Sequence, residues 1–106
     1  MSQVDEIYSE VEVLRGLLTA LMVNWGQLKV RIEPAIAIVD RVLNNPTDNS
    51  IALFIEDMLD LDKYFRDIQV MSNDVYLNQS IDKTLELIGR LMGPDEKIVH
   101  GSLSYQ

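Results

Sequence analysis

No cysteine occurs in the 106 residues, which removes disulfide frameworks, Cys-ligated zinc and thiol nucleophiles together. Histidine occurs once, at His100, in a tail beyond Gly93-Pro94. Bases are scarce: nine Lys+Arg stand against seventeen Asp+Glu, giving a net charge of −8. A nucleic-acid backbone needs a basic face, so no direct nucleic-acid binding is expected. The longest apolar run, Leu17 to Val23, is seven residues and includes Thr19, far short of the ~20 that span a bilayer. Met1 to Glu6 is acidic and polar, the reverse of a secretory leader. These absences point to a soluble, cytoplasmic protein with no membrane partner. No stretch of five or more residues alternates with period two, so no strand is expected.

What is present is helix. Hydrophobic residues make up 47% of the chain, enough for one domain to build a core without staples. Val4, Val11, Leu18, Trp25 and Ile32 lie seven apart, and Ile7, Leu14, Leu21 and Leu28 interleave with them. This is an uninterrupted heptad, the pattern of a helix packed along its length at a shallow angle. Ser2 is a suitable N-cap for it. Pro34 disfavours helical geometry at Glu33 and removes a donor, which predicts a kink or a break there. Yet Ala35, Val39 and Val42 keep the phase of Ile32. One kinked helix running to about Leu43 and two separate helices are equal alternatives.

Asn44 to Asn49 is a loop and capping cluster. Ile51, Phe54, Ile55, Met58, Leu61, Phe65 and Ile68 then mark the core stripe of a helix ending near Met71. Ser72-Asn73-Asp74 supplies the next turn and cap. Leu77, Ile81, Leu85, Ile88 and Met92 carry the last helix, which Gly93-Pro94 terminates. The expected fold is all-α: an antiparallel bundle of three to four helices over residues 1–94, with a long heptad-patterned first helix kinked or broken at Pro34. Residues 95–106 form a C-terminal tail bearing Ile98, Val99, Leu103 and Tyr105.

Away from its heptad seam the first helix is still apolar. Tyr8 and Met22 widen the stripe on one flank and Leu17 on the other. Val13, Ala20, Val23 and Val30 lie on the side that a two-layer bundle leaves in water, and Gly16, Ala20 and Val23, with Gly26 beyond, form a ridge of small side chains that permits close backbone approach. Burial on more than one side is expected, through a homodimer seam formed by Val13, Gly16, Leu17, Ala20, Val23 and Val30. A helix of some 42 residues would be about 60 Å long. The shorter later helices could not cover it from end to end, and a second copy would cover the remainder.

Catalytic teams are harder to find. The third segment, Thr47 to Met71, holds six acids and two bases. Glu56, Asp57, Asp60, Asp62 and Asp67 make it an acidic face, and a carboxylate group of this kind is expected to be solvated rather than metal-bound. Asp57-x-x-Asp60 resembles one half of the magnesium signature of MazG-type pyrophosphohydrolases, but no E-x-x-E exists anywhere in the chain. No E-x-x-H di-iron motif occurs either. Asp48-Asn49-Ser50-Ile51 resembles the phosphopantetheine-accepting D-S-L context of acyl carrier proteins over under a quarter of the chain. Asn49 stands where that pattern has Asp, and the long heptad helix does not suit that fold. Ser50 is then an ordinary polar residue of a first helical turn.

No catalytic residue, metal or cofactor is therefore expected. Trp25, Tyr8, Tyr64, Phe54 and Phe65 fall on or beside apolar stripes and suit core packing. Tyr76 and Tyr105 fall off the stripes and suit partner contacts. The expected function is that of a non-enzymatic interaction module: an inhibitor, adaptor, assembly chaperone or small complex subunit. It would oligomerise through helix one and present its acidic helix to a basic protein surface, as a charge mimic of nucleic acid in one version. A metal-dependent enzyme with carboxylates assembled across a dimer, and a purely structural assembly subunit, are the alternatives.

Overall fold

The computed structural model describes residues 3–92, with side chains from Ile7 onward. Four α-helices run α1 (Gln3–Asn24), α2 (Lys29–Asn44), α3 (Asp48–Met71) and α4 (Val75–Met92), and no strand occurs among the described residues. Helix α1 packs against α2 and α4, and α3 packs against the same two, so the helices stand at the corners of a square. Cross-helix pairs show that successive helices are antiparallel. Arg15 meets Asp40 between α1 and α2, Arg31 meets Asp57 between α2 and α3, and Gln69 meets Asp82 between α3 and α4. The chain is an all-α antiparallel four-helix bundle.

The chain reverses at Trp25–Leu28, not at Pro34. Trp25 donates its N–H to the Leu21 carbonyl at 2.9 Å as the last bond of α1. Its backbone then leaves helical space (φ −129°, ψ 84°), and one 3-10 turn over Gly26–Leu28 leads into α2. Leu28 closes that turn by donating to the Trp25 carbonyl and buries its side chain at the end of the core. The expectation of one long first helix kinked or broken at Pro34 is thus corrected. The 60 Å rod does not exist: the longest extent of the described residues is 43 Å. With it goes the argument that a second copy must cover an overhang. Heptad phase passes through the reversal because Leu21, Leu28 and Ile32 all face one interior. A sequence repeat records burial, not the continuity of an axis.

Pro34 is the sixth residue of α2 and lies inside it. The bond it cannot donate would have gone to the carbonyl of Val30, and both Val30 and Pro34 are exposed. Water can therefore solvate the spare carbonyl, which is why the helix continues. Proline still costs ~3 kcal/mol against alanine in a helix interior, offset by ~0.4–1 kcal/mol from a stiffer unfolded chain. Pro34→Ala is expected to stabilise the domain by ~2 kcal/mol, read as a higher denaturant midpoint. A lower midpoint would show that the ring itself is needed in α2.

The α2–α3 connection is fixed by a reciprocal cap. Thr47 Oγ1 accepts from the Ser50 N–H at 3.1 Å, while Ser50 Oγ accepts from the Thr47 N–H at 2.8 Å. Ser50 Oγ also lies 3.0 Å from the Asn45 carbonyl and is buried. Its hydroxyl serves the turn, which is a stronger role than that of a first-turn surface residue. On α4, Asp74 caps through the Leu77 N–H at 3.0 Å.

Core residues come from every helix. Val11, Leu14 and Leu18 of α1, Ile32 and Val39 of α2, Phe54, Met58, Leu61 and Phe65 of α3, and Ile81 and Leu91 of α4 are fully buried. Tyr8, Leu17, Met22, Trp25 and Tyr64 pack partly buried around them. The aromatic residues assigned to packing stand there.

Candidate functional site

The side of α1 facing away from the core stays open. Val13 is 57% exposed and Val23 71%, and Gly16 and Ala20 between them are exposed as well. Leu17 is half-buried on the flank. At 100° per residue, positions 13, 16, 20 and 23 fall in one narrow strip opposite Leu14, Leu18 and Leu21. Glu12 borders the strip, and residues 16–28 hold no charged side chain. A Cβ added at Gly16 would meet nothing within 4 Å, so packing within the chain gives no reason for glycine there. Val30, grouped with these positions by heptad phase, does not share their helix. The reversal puts it on α2, where it is 87% exposed. The strip is therefore shorter than the sequence implied.

Glu56, Asp57, Asp60, Asp62 and Asp67 do not form one face of α3. Asp57 lies on the flank toward α2, where its Oδ1 accepts from Arg31 Nη2 at 2.9 Å. The Asp57 side chain is only 19% exposed, and its Oδ2 is buried without a hydrogen-bond partner. Asp60 takes the same Arg31 nitrogen at 3.2 Å but is largely solvated. Arg31 also sits 6.0 Å from the ring centroid of Tyr64. Asp62 pairs with Arg66 one turn on, at 2.6 Å. Glu56 and Asp67 are exposed and form no ion pair among the described residues. Two shallow depressions follow the α2–α3 seam. One, of about 370 Å³, is lined by Arg31, Asp60, Lys63, Tyr64 and Asp67. The other, of about 220 Å³, sets Ile38 and Leu53 beside Glu56, Asp57 and Asp60. Among the described residues no three His, Cys, Asp or Glu side chains converge as a metal cage.

No known protein family, curated protein or solved structure matches this chain. The residues alone carry the functional argument. No helix among the described residues is long and apolar enough to cross a membrane. His100, Tyr105 and the apolar tail residues lie outside the described residues, as does the domain boundary set near residue 94.

One end of the bundle carries a second group of exposed apolar side chains, off the core stripes. Val70 and Met71 close α3, and Val75 and Tyr76 open α4. Tyr76, singled out as lying off the stripes, is 76% exposed. The two turns at this end are joined by Trp25, whose indole Nε1 donates to Asp74 Oδ2 at 3.1 Å. Bonds from the Leu77 backbone and the Trp25 indole hold the Asp74 carboxyl below its ordinary 3.8. A depressed carboxyl stabilises the fold above its unfolded value and loses that contribution as pH falls through the lower folded value. Trp25 is the sole tryptophan. Its emission is expected to titrate with a midpoint below 3.8, and Asp74→Asn, which keeps a cap oxygen, is expected to abolish that titration. A transition present in both proteins would be global acid unfolding instead.

Proposed function

We propose that this chain is a non-enzymatic protein–protein interaction module that self-associates through α1. The observation that supports the reading is the strip Val13, Gly16, Ala20, Val23, with Leu17 on its flank: apolar, uncharged and left in water by the bundle. Single exposed apolar residues are ordinary on protein surfaces. Several aligned on one helix face are the mark of an interaction site. The compact monomer offers them no neighbour, since α2 and α4 already flank α1.

A second surface serves a basic protein partner. Arg31 and Arg66 hold Asp57, Asp60 and Asp62, so contact with that partner runs through Glu56, Asp67 and the outer oxygen of Asp60. Such charges chiefly speed capture and set specificity. An inhibitor or adaptor acting in the cytoplasm, without cofactor, metal or catalytic residue, fits this arrangement of an assembling face and a charged face.

Light scattering across micromolar concentrations tests the self-association. The expected result is a concentration-dependent dimer that Ala20→Glu converts to monomer with an unchanged circular-dichroism spectrum. A wild-type chain that stays monomeric at ~100 μM, well above the micromolar weak end of standard-size interfaces, overturns the reading.

A further inference from the structure

We infer that the C-terminal tail folds back after Gly93-Pro94 and lays Ile98 into an apolar groove between α3 and α4. The register of that hairpin locates the groove. Gln69 donates to the Asn78 carbonyl and to Asp82, and Asp82 lies near enough to Arg66 to act on its charge. These residues mark the flanks on which α3 and α4 meet. Steps of three and four carry the same flanks down the hairpin. On α3 the row runs from Gln69 through Arg66 and Asp62 to Leu59, Ile55 and Ala52, with Asp48 at the helix start. On α4 it runs from Asn78 through Asp82 to Leu85, Gly89 and Met92. The upper half of the seam is charged and hydrogen-bonded, and Asp62 pairs there with Arg66. Between Asp48 and Asp62, and below Asp82, both rows are uncharged.

This lower half is left open among the described residues. Leu59 is 56% exposed, and Ala52 and Gly89 are exposed. Ile55 and Met92 pack on the core with part of each side chain uncovered. Helices α1 and α2 hold the other two corners of the square, so neither reaches the outer α3–α4 seam.

The chain itself supplies the occupant. It leaves α4 at Met92, the last residue of the groove's α4 row, and residues 93–106 follow. Proline cannot continue a helix, and Gly93-Pro94 sets a reversal at the groove's mouth. Asp95, Glu96 and Lys97 come before the apolar pair Ile98 and Val99. From Met92 back to Leu85 is ~10 Å along the helix at 1.5 Å per residue. Residues 95–98, extended, span ~13 Å at 3.3 Å per residue. Ile98 therefore reaches the level of Leu59 and Gly89, with the charged residues behind it at the open end. A segment tethered at the groove's own end outcompetes a separate molecule through its effective concentration. The α1 strip and the α2–α3 edge lie on other faces and stay free with the tail in place.

Because the chain has no cysteine, two introduced thiols report the contact without competition. Leu59→Cys with Ile98→Cys is compared with Lys83→Cys with Ile98→Cys, each in the full chain at low micromolar concentration. Lys83 is exposed on the side of α4 turned away from α3 and within the tail's reach, and cysteine keeps the apolar character of Ile98. Gentle oxidation and intact mass read ring closure as the loss of two hydrogens from the monomer. Ordering the tail offsets much of what the contact contributes, so the closure rate, not the unfolding midpoint, is the readout. The Leu59 pair is expected to close on the order of tenfold faster than the Lys83 pair. Adding Gly89→Lys, where a side chain meets nothing within 4 Å, fills the groove and should slow the Leu59 pair to the Lys83 rate. Equal rates for the two pairs overturn the inference, as does fast closure that survives Gly89→Lys. A cross-linked dimer in place of the closed monomer puts a second copy in the groove and overturns it too.

Discussion

Phe65→Ala is expected to cost ~4 kcal/mol, the range for a large aromatic cut to alanine in a packed interior. Phe65 is fully buried on α3, in line with Phe54, Met58 and Leu61, which are fully buried too. Tyr64 covers it at a ring separation of 5.7 Å, so the void has little freedom to collapse. A domain of this size has ~5–15 kcal/mol of stability to begin with. With a urea dependence of ~1–1.5 kcal/mol per molar, the midpoint should fall by ~3 M, and a marginal wild type would not fold at all. Leu59→Ala on the same helix, where the side chain is 56% exposed, should change the midpoint by less than ~0.5 M on the same scale. The contrast separates packing from ligand binding as the reason for the aromatic residues. A ring lining a binding site would leave a folded variant with a lost function; Phe65→Ala should lose the fold first. A folded Phe65→Ala with a near-native midpoint would contradict the packing role.

Period and punctuation made much of this fold readable. The i, i+3, i+4 stripes named Val11, Leu14, Leu18, Phe54, Met58, Phe65 and Ile81 as core, because each helix has one buried face and the period reports it. Asn44 to Asn49 and Ser72 to Asp74 marked their turns because their side chains bond locally to free backbone groups. The reversal at Trp25–Leu28 was not read. Apolar Trp25 and Leu28 sustain the heptad through it, and Pro34 drew attention to the wrong position. Asn24 and Gly26, a pair of residues common at helix ends, were the signal available. The acidic residues failed in a different way. Asp62 with Arg66 at i, i+4 is a pairing that spacing alone shows. Asp57 turns inward only because the α2–α3 hairpin brings Arg31 beside it, across a sequence separation of 26. No helical wheel of α3 contains that information. The α1 strip, by contrast, was legible almost residue for residue. What the sequence could not show was that Val30 belongs to another helix.

Arg31→Met is expected to destabilise the domain by ~2–3 kcal/mol, the second-largest effect after the core aromatic. Arg31 joins α2 to α3 by bonding Asp57 and Asp60 and lying near the Tyr64 ring. Asp57 already has one buried oxygen without a partner. Removing Arg31 strands the other. Breaking a fully buried pair costs ~3–5 kcal/mol, because a charge is left uncompensated. Each side chain here keeps about a fifth of its exposure, so water recovers part of that. Arg31→Met with Asp57→Leu should return to within ~1 kcal/mol of wild type, since two apolar side chains can replace an ion pair. Asp60→Ala alone should cost under ~1 kcal/mol, because its side chain is 72% exposed. A double variant no more stable than Arg31→Met would show that Arg31 acts by packing on Tyr64 and not by pairing. The same substitution bears on function with the opposite sign. Among the described residues Arg31 is the one cation paired with Asp60, so its loss leaves Glu56, Asp60 and Asp67 as a more acidic edge. If that edge meets a basic partner, Arg31→Met should be captured faster, most visibly at low salt, while being less stable. Slower capture would place the partner's contact elsewhere on the bundle.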